Sequence, residues 1–240
     1  MPDVSGARIA LVTGGAGQLG RHVVDRLLGD GIRTHVPVLD EREADSARGH
    51  FGVKASGVTF HPRADLADPA SVDAVYRAIT KQEGRSPDIL LNLAGGFAGA
   101  PVEETDPGTW DHMWRMNAST AFLCSRAAFP GMKARQWGRI VNVSAFPALD
   151  RGKATLSAYG AAKAAVLNLT HTLAREGVAH GITVNAILPS IIDTPANRAA
   201  MPRADTSTWL PPERIAEVTR FLVSDAAGIV NGAAIPLTLG

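Results

Sequence analysis

The sequence predicts a doubly wound α/β fold, in which a parallel sheet of about seven strands carries helices on both faces. Short apolar segments alternate with helical segments about six times along the 240 residues. Some apolar segments, such as DILLNLA, are almost continuous, which is typical of strands buried on both faces of a parallel sheet. No linker, repeat or low-complexity tract interrupts this alternation, so we expect residues 1–240 to form a single domain.

The first half of the chain shows the start and stop signals that such a fold needs. Apolar residues recur at helical spacing after residue 17, and Gly29 and Gly31 mark the end of that first helix. Asp68 followed by Pro69 is typical of a helix start, with a capping carboxylate and a proline at the first helical position. Pro37 lacks an N–H group, so we expect a distortion near the end of the second strand.

These signals divide the chain into alternating elements. The predicted strands are residues 8–12, 32–40, 57–66, 88–96, 138–144, 181–189 and 233–239. The predicted helices are residues 17–31, 68–84, 107–133 (as one or two helices), 157–176 and 211–225, with a short helix in a loop at 190–210.

Composition excludes several classes of protein. The formal net charge of +1 gives no bulk attraction for nucleic acid or for an anionic membrane. Cys124 is the single cysteine, which excludes an intrachain disulfide and a cysteine-rich metal site, and no histidine spacing indicates a metal. The sequence shows no signal-peptide pattern and no apolar run of the roughly 20 residues that cross a bilayer. We therefore expect a cytoplasmic protein without a bound metal.

The segment VTGGAGQLG, residues 12–20, lies between the first predicted strand and the first predicted helix. In a doubly wound fold, this is where a dinucleotide pyrophosphate meets the free N–H groups and the positive dipole of a helix N-terminus. Glycines suit such a loop because a side chain would hold the phosphates away from the backbone. The alternative is a glycine-rich turn that only joins a strand to a helix.

Asp40 ends the second predicted strand, where a carboxylate can accept hydrogen bonds from the ribose hydroxyls of NAD(H). The same charge would repel the additional phosphate of NADP(H), so the sequence favours NAD(H). Arg42, two residues later, keeps NADP(H) open as the cofactor. Asp40 could instead cap the helical segment that follows it.

Tyr159 and Lys163 are four residues apart in the helix predicted over 157–176, so they share one helix face. A phenol has a pKa near ~10, and an adjacent ammonium is expected to lower it by favouring the phenolate. Such a pair suits proton transfer at a substrate oxygen while a nicotinamide exchanges hydride. Spacing alone is weak evidence, because helices contain such pairs by chance.

These features together resemble the short-chain dehydrogenase/reductase family along essentially the whole chain. The glycine segment matches the family pattern T-G-x-x-x-G-x-G at Thr13, Gly14 and Gly20. It departs at the middle glycine, where Gln18 stands and Gly17 falls one position earlier. The resemblance implies a Rossmann-like domain that binds NAD(P).

The resemblance also implies roles for residues spread along the chain. It makes Tyr159 and Lys163 catalytic, with Asn117 supporting the lysine through water; Asn117 could instead be a polar group at a helix kink. Asp65 matches the position that binds the adenine amino edge, and Asn92 either contacts the cofactor or ties two strands together. The implied cofactor-binding residues are Thr13, Gly14, Gly17, Gln18, Leu19, Gly20, Asp40, Asp65, Leu66, Asn92, Ala94, Gly95, Tyr159, Lys163, Pro189, Ile192 and Thr194.

At the position of the family's catalytic serine, this sequence has a residue without a hydroxyl group. That serine usually lies 13 residues before the tyrosine; counting back reaches Phe146, and aligning the strand VNVS reaches Ala145. We interpret Ala145 as the replacement. Ser144 should point to the other face of the strand, and Thr155 or Ser157 could substitute only if the loop is reshaped.

Three segments resemble the dihydropteridine reductases, members of the same family that work with a Tyr-Lys pair and an alanine in place of the serine. They are residues 93–100, residues 148–150 with 159–166, and residues 193–213. In those enzymes an aromatic residue at the position of Phe97 lies against a flat pterin. The implied substrate pocket, beneath the loop at 190–210, is formed by Phe97, Ala145, Phe146, Met201 and Trp209. Met201 and Trp209 could instead pack that loop onto the body of the protein.

Together the patterns predict an NAD(P)(H)-dependent oxidoreductase that transfers hydride to or from a small organic substrate. A substrate like that of the dihydropteridine reductases competes with an ordinary ketone or alcohol. A protein of another class, a catalytically weak dinucleotide-binding sensor or scaffold, stays open because the serine is missing. The resemblance also implies a homodimer or homotetramer formed through the helices at 107–133 and 157–176.

Overall fold

The fold is built on one parallel sheet. The computed structural model describes residues 7–149 and 152–239, and within these it places seven strands in the order β3-β2-β1-β4-β5-β6-β7. The strands are β1 (Ile9–Thr13), β2 (Arg33–Pro37), β3 (Val58–His61), β4 (Ile89–Asn92), β5 (Gly138–Val143), β6 (Ile182–Pro189) and β7 (Ala234–Leu237). All six neighbouring pairs are parallel, which confirms the predicted fold class. Asp150, in the segment 148–150 of the dihydropteridine reductase resemblance, lies outside the described residues.

Helices cover both faces of the sheet. They are α1 (Gln18–Gly29), α2 (Glu41–Phe51), α3 (Pro69–Glu83), α4 (Pro107–Trp114), α5 (Thr120–Arg135), α6 (Ser157–Gly177), α7 (Pro195–Ala200) and α8 (Pro212–Leu222). Successive residues of β1 enter different cores: Val12 shares an apolar core with α1 and α8, whereas Leu11 shares one with α3 and α5. Among the described residues, no helix has the length and apolar character to cross a bilayer.

Local sequence signals explain where α3 begins and ends. The Asp68 carboxylate accepts hydrogen bonds from the N–H groups of Ala70 and Ser71, and Pro69 occupies the first helical position. Gly84 follows the last turn with a φ of +73°, a left-handed conformation that glycine adopts without strain. The predicted helix over 68–84 is therefore observed almost residue for residue.

The strands β2, β3 and β4 end three to five residues before their predicted ends, and the residues that follow them form part of the cleft described below. The segments expected over 32–40, 57–66 and 88–96 are strands only in β2, β3 and β4. Pro37 has no N–H to donate, and the pairing of β1 with β2 stops at Leu11 and His35. The residues that follow each strand leave the sheet as loops at its carboxyl edge.

The predicted helical segment 107–133 is divided into two helices. A π turn, Arg115–Ser119, lies between α4 and α5. Such turns insert one additional residue into a helix and are frequent at functional sites. Asn117 lies at the centre of this turn and is buried.

Candidate active site

The loop between β1 and α1 packs its backbone closely at the N-terminus of α1. Gly14 has a φ of +65°, and a Cβ there would lie 2.9 Å from the backbone nitrogen of Ala94. A Cβ on Gly20 would overlap the carbonyl oxygen of Gly14. Gly17 caps α1 without a side chain, so no side-chain acceptor covers the N–H groups of the first turn. This cradle fits an anionic group such as a pyrophosphate.

A cavity of about 660 Å³ opens beyond the carboxyl ends of β1, β2 and β4. It lies at the switch point between β1 and β4, where open α/β sheets bind their ligands. Its volume lies within the range of ligand and cofactor sites. The predicted cofactor residues that line it are Gly14, Gly17, Gln18, Leu19, Gly20, Asp65, Leu66, Ala94 and Gly95.

A second group of lining residues was not predicted from the sequence, and five of its eleven members are next to predicted ones. They are Pro37, Val38, Leu39, Glu43, Ala64, Ala67, Leu93, His112, Arg115, Met116 and Thr120. The last four come from α4, the π turn and the start of α5, on either side of Asn117. Helical periodicity around Asn117 could have indicated this segment, but not the π turn that shifts its register.

Asp40 lies beside the β2 end of the cavity and caps α2. Its Oδ1 accepts the N–H of Glu43 at 2.9 Å, which is the capping role that the sequence left open. Asp40 is exposed and does not line the cavity, whereas Leu39 and Glu43 do. The Glu43 carboxylate accepts the N–H of Leu39 at 2.9 Å. Two carboxylates therefore lie at this end of the cleft.

Asp65 and Arg115 come from opposite sides of the cavity mouth, after β3 and from the π turn. The Oδ1 atom of Asp65 accepts the N–H of Ala67 at 2.9 Å. Its Oδ2 atom lies 3.5 Å from Nη2 of Arg115, and both side chains are more than half exposed. The two walls of the cleft are thus joined by an ion pair at its surface.

Two predicted cofactor residues have structural partners. Thr13 accepts the N–H of Ala94 on Oγ1 at 3.0 Å, so it ties the glycine loop to the loop after β4. Asn92 donates from Nδ2 to Asn142 Oδ1 at 2.8 Å and to Ser125 Oγ at 3.2 Å. Both side chains are buried and neither lines the cavity. Asn92 therefore ties β4 to β5, the structural alternative.

Tyr159 and Lys163 lie one turn apart on α6. Lys163 is buried, its Nζ lies 5.8 Å from the centroid of the Tyr159 ring, and it donates to the carbonyl oxygen of Val143 at 2.8 Å. A Cβ on Gly95 would lie 2.6 Å from Oδ1 of Asn117 and 3.3 Å from Nζ of Lys163. The absence of a side chain at Gly95 therefore lets the loop after β4 approach both functional groups.

Asn117 also holds the kinked helix to the loop after β4. Its Nδ2 donates to the carbonyl oxygens of Met113 at 2.9 Å and Gly96 at 3.2 Å. Its Oδ1 accepts the N–H of Gly96 at 3.3 Å. Asn117 therefore acts as the polar group at a helix kink, as the structural alternative predicts. It also lies near Lys163.

The expected lowering of the Tyr159 pKa by Lys163 is wrong for this structure. Burial raises the pKa of Tyr159 to about 12 and lowers the pKa of Lys163 to about 8. The lysine amine is directed to Val143 O, and Phe97 packs edge-on against Tyr159 with the ring centroids 5.0 Å apart. The phenol is consequently protonated at neutral pH.

Three hydroxyl side chains, those of Ser144, Thr155 and Ser157, are the candidates to replace the family serine, and they differ in burial and position. Ser144 is buried and donates to the carbonyl oxygen of Lys163 at 2.8 Å. Ala145 follows it and is also buried. Thr155 is exposed with a φ of +66°, and Ser157 is the first residue of α6. The Ser144 hydroxyl is therefore already used by the protein itself.

The residues assigned to a substrate pocket do not line the cavity. Phe97 is 68% and Phe146 is 38% exposed, so both present aromatic surface outside it. Ala145 and Trp209 are buried and Met201 is half-buried. Burial of Trp209 agrees with the alternative, in which it packs the loop 190–210 onto the body.

The predicted cofactor residues after β6 also lie outside the cavity. Pro189 ends β6 and is buried, and Ile192 forms an isolated bridge with Leu210. Thr194 caps α7, with Oγ1 accepting the N–H of Asn197 at 3.2 Å. The structure therefore brings together the glycine loop, the β3 loop and the β4 loop around the cavity, but not the segment after β6.

Comparison with known proteins decides the family. The family described as short chain dehydrogenase matches residues 8–205. The chain belongs to this family. Short-chain dehydrogenases are oxidoreductases that bind NAD(P), which confirms the predicted family, class of enzyme and general cofactor. The cradle at Gly14 and Gly20, which a Cβ would fill, fits the pyrophosphate of such a cofactor.

Relatives of this short-chain dehydrogenase act on different substrates. The 2,3-dihydroxy-2,3-dihydro-p-cumate dehydrogenase of Pseudomonas putida is 37% identical over 188 residues, which cover 78% of this chain and 71% of that protein. The acetoacetyl-CoA reductase of Allochromatium vinosum is 34% identical over 245 residues, 98% of both proteins. The solved structure of ElxO with NADP bound has a TM-score of 0.89 at 23% identity, covering 96% of this chain and 97% of that one, which shows the shared fold.

Proposed function

We propose that this short-chain dehydrogenase is a reductase of a small organic substrate, with Tyr159 as the proton donor. The observation that carries the proposal is the placement of Tyr159 and buried Lys163 on one face of α6, with Asn117 beside the lysine. This group lies next to the loop after β4, which also lines the cavity. A binding protein without catalysis has no need for an acid–base pair at that position.

The cofactor proposed for the cavity is NAD(H). A bound nicotinamide cofactor would supply the hydride. Gly14 and Gly20 would leave room for its pyrophosphate at the N-terminus of α1. Glu43 lines the cavity beyond β2, where the ribose of the adenosine half would lie, and Asp40 is exposed three residues before it; carboxylates at this end would favour NAD(H) over the phosphorylated NADP(H). Arg42 keeps NADP(H) as a second candidate, as does the NADP held by ElxO.

Tyr159 is in the protonated form that reduction of a substrate requires. A phenol whose pKa burial raises to about 12 holds its proton at neutral pH and can donate it to the atom that becomes negative as hydride arrives. Lys163 is a cation below its pKa of about 8, so it would hold the cofactor ribose by hydrogen bonds and stabilise the phenolate after proton transfer.

The substrate class follows from the single donor. With Ser144 bound to the carbonyl oxygen of Lys163 and Ala145 in the next position, Tyr159 would be the one side-chain donor to the substrate. A quinonoid ring, like the substrate of the dihydropteridine reductases, accepts hydride and then a proton and depends less on a second donor. Phe97, exposed and edge-on to Tyr159, offers an aromatic surface for such a ring. The loop 190–210, with Met201, would close the substrate side.

A ketone is the second candidate substrate. The match to acetoacetyl-CoA reductase covers 98% of both proteins, more than the match to the p-cumate diol dehydrogenase covers. In that case a hydroxyl from Thr155 or Ser157 would have to approach the site, since Ser144 is engaged.

Turnover of NADH with a substrate panel tests the proposal. Purified protein is mixed with NADH or NADPH and with quinonoid pterins, quinones and ketones, and NADH absorbance is followed. Oxidation is expected with at least one quinonoid substrate, and Tyr159→Phe should reduce kcat by about 10²- to 10⁴-fold while NADH still binds. The chain has two tyrosines, so Tyr76→Phe is the matched control and should keep kcat within about twofold, because Tyr76 OH donates to the carbonyl oxygen of Cys124 and neither residue lines the cavity.

The outcomes separate the enzyme from a binding protein. Tight NADH binding without turnover of any substrate, together with no effect of Tyr159→Phe, would support the sensor or scaffold instead. Much tighter binding of NADPH than of NADH would contradict the role given to Asp40 and Glu43.

We also propose that the protein is a homodimer or homotetramer that uses α4, α5 and α6. Trp110 and Trp114 of α4 stack with ring centroids 6.5 Å apart and are 43% and 42% exposed, and Phe122 of α5 is 50% exposed. Large aromatic residues at this level of exposure are enriched at interfaces. Light scattering should give a mass of two or four chains, and Trp114→Glu should lower it; a single-chain mass for the wild type would contradict the proposal.

A further inference from the structure

We propose that Arg115 is a binding residue for the adenine base of the dinucleotide, and that the base packs against the guanidinium plane of Arg115. This inference rests on the proposed cofactor and adds a residue that neither the glycine pattern nor the Tyr-Lys pair indicates. Arg115 and Asp65 line the same cavity from opposite walls and lie 3.5 Å apart.

The orientation of a dinucleotide in the cavity follows from the fold. The pyrophosphate belongs at the N-terminus of α1, and the ribose of the adenosine half belongs at the end of β2. The base attached to that ribose must then extend over the end of β3. Asp65 and Leu66 follow β3 and line the cavity there, and Arg115 faces Asp65 from the π turn.

The chemistry of the cleft at this end suits a flat base. Leu66, Val38 and Met116 supply apolar surface to the lining, and within residues 7–149 and 152–239 Arg115 is the one arginine or lysine that lines the cavity. A guanidinium is planar and stacks on aromatic faces, which an ammonium does less well. The other titratable side chains among the described residues that line the cavity are Asp65, Glu43 and His112.

The ion pair between Asp65 and Arg115 is weak. Both side chains are more than half exposed, and pairs of this kind contribute about 0–1 kcal/mol to stability. Arg115 therefore adds little to the folded state, and its side chain can turn onto a ligand at small cost. Asp65 keeps Oδ1 on the N–H of Ala67, so the carboxylate stays fixed while the arginine moves.

The π turn connects Arg115 to the proposed catalytic residues. Arg115 begins the turn and Asn117 lies two residues later, beside Lys163. The two ends of the cofactor would thus be contacted by one short segment, whose backbone Asn117 fixes through Met113 and Gly96.

Three ligands distinguish the adenine end from the rest of the site. Dissociation constants are measured by fluorescence and calorimetry for NADH, for ADP-ribose and for reduced nicotinamide mononucleotide, which lacks the adenosine half. We expect Arg115→Ala to weaken NADH and ADP-ribose by about three- to tenfold and to leave the mononucleotide within twofold. Arg115→Lys, which keeps the charge beside Asp65 but not the plane, should recover less than half of the loss.

Controls keep the result specific. Arg126→Ala removes an exposed arginine of α5 outside the cavity and should change none of the three constants. Equal affinities of wild type and Arg115→Ala for ADP-ribose would overturn the inference, and so would an equal loss for all three ligands. If wild type binds neither NADH nor NADPH, the proposed function fails first and this inference fails with it. Full recovery by Arg115→Lys would show a contact by charge alone and would overturn the stacking.

Discussion

The hydroxyl of Ser144 donates to the carbonyl oxygen of Lys163 at 2.8 Å, so the serine at the end of β5 binds the backbone of the helix that carries the Tyr-Lys pair. The lysine returns a hydrogen bond from Nζ to the carbonyl oxygen of Val143, next to that serine. β5 and α6 are therefore joined twice at the site. The residues at and just after the end of β5 therefore support α6, and if Ala145 replaces the family serine, as proposed, the substrate receives no hydroxyl from position 145.

Ala145→Ser should reveal which substrate class the site serves. If Ala145 stands where the family has its serine, a serine at this position would add a second hydroxyl donor, which helps the oxygen of a ketone but is not needed by a quinonoid ring. We expect kcat/KM to rise on the order of tenfold for ketones and to change less than twofold for a quinonoid pterin. Steady-state kinetics on both substrates measure it. Ser144→Ala is the matched variant and should cost about 1 kcal/mol of unfolding free energy without changing the preference.

Lys163→Met should stabilise the cofactor-free protein at pH 7. Burial lowers the pKa of Lys163 from 10.5 to about 8, so the unfolded state binds the proton more tightly than the folded state between these values. The wild type therefore gains stability as pH rises from 8 to 10.5, and below pH 8 it carries the full penalty of a buried charge. We expect the free energy of unfolding of Lys163→Met to exceed that of the wild type by about 2 kcal/mol at pH 7. This figure already subtracts the lost hydrogen bond from Lys163 to Val143.

Urea unfolding at pH 7 and pH 10 measures this difference. The gain of Lys163→Met should shrink at pH 10, where the wild-type penalty is relieved. A stability loss at both pH values would show that the ammonium stabilises the fold in this position.

Local signals in the sequence predicted the parts of the fold that depend on local chemistry. Asp68 and Pro69 marked the start of α3, and β-α alternation with near-continuous apolar strands predicted the parallel sheet. Gly14 and Gly20 were identified from the glycine pattern between a strand and a helix, and in the structure a Cβ at either position would meet backbone. Each of these features depends on a few neighbouring residues.

Features that depend on tertiary contacts were not predicted. The π turn that carries Asn117 brings Arg115 and Met116 to the cavity, and a periodic pattern does not show where an additional residue enters a helix. The pKa of Tyr159 depends on burial rather than on the lysine four residues away. Asn92 could be assigned to β4 and β5 only once its partner Asn142 was visible across the sheet.

Acid should destabilise the protein through a pair of histidines in the sheet. His35 Nδ1 lies 2.9 Å from His61 Nε2, and His35 Nε2 lies 3.2 Å from Glu83, which also pairs with Arg33. Burial, followed by the charge of His35, lowers the pKa of His61 from 6.5 to about 4, so the unfolded state binds protons first as pH falls. Between pH 6.5 and 4 the free energy of unfolding should drop by about 2 kcal/mol on this account, after a discount for partial exposure.

Urea unfolding of wild type and His61→Gln across that pH range measures the contribution. Glutamine keeps a polar partner for His35 but does not titrate, so the pH dependence should become shallower. His171→Gln, on the half-buried face of α6, serves as control and should follow the wild type. Identical slopes for wild type and His61→Gln would exclude His61 as a source of the acid sensitivity.

Substitution of two glycines of α1 should separate the cofactor cradle from the helix that bears it. A Cβ on Gly20 overlaps the carbonyl oxygen of Gly14, so Gly20→Ala forces the loop backbone to move and should cost more than about 2 kcal/mol of unfolding free energy. A Cβ on Gly29, at the other end of the helix, meets nothing within 4 Å. Gly29→Ala should therefore stabilise by about 0.5–1 kcal/mol, because it restricts the unfolded chain.

NADH titration of the same two variants tests the cradle itself. The displaced carbonyl of Gly14 would enter the space that the pyrophosphate needs, so Gly20→Ala should weaken NADH by more than about tenfold, whereas Gly29→Ala should bind as the wild type does. The mutated residues lie on one helix and differ in what a Cβ would meet, so a difference in binding reports the loop rather than helix propensity. Wild-type affinity in a folded Gly20→Ala protein would mean that the cofactor is held without this loop.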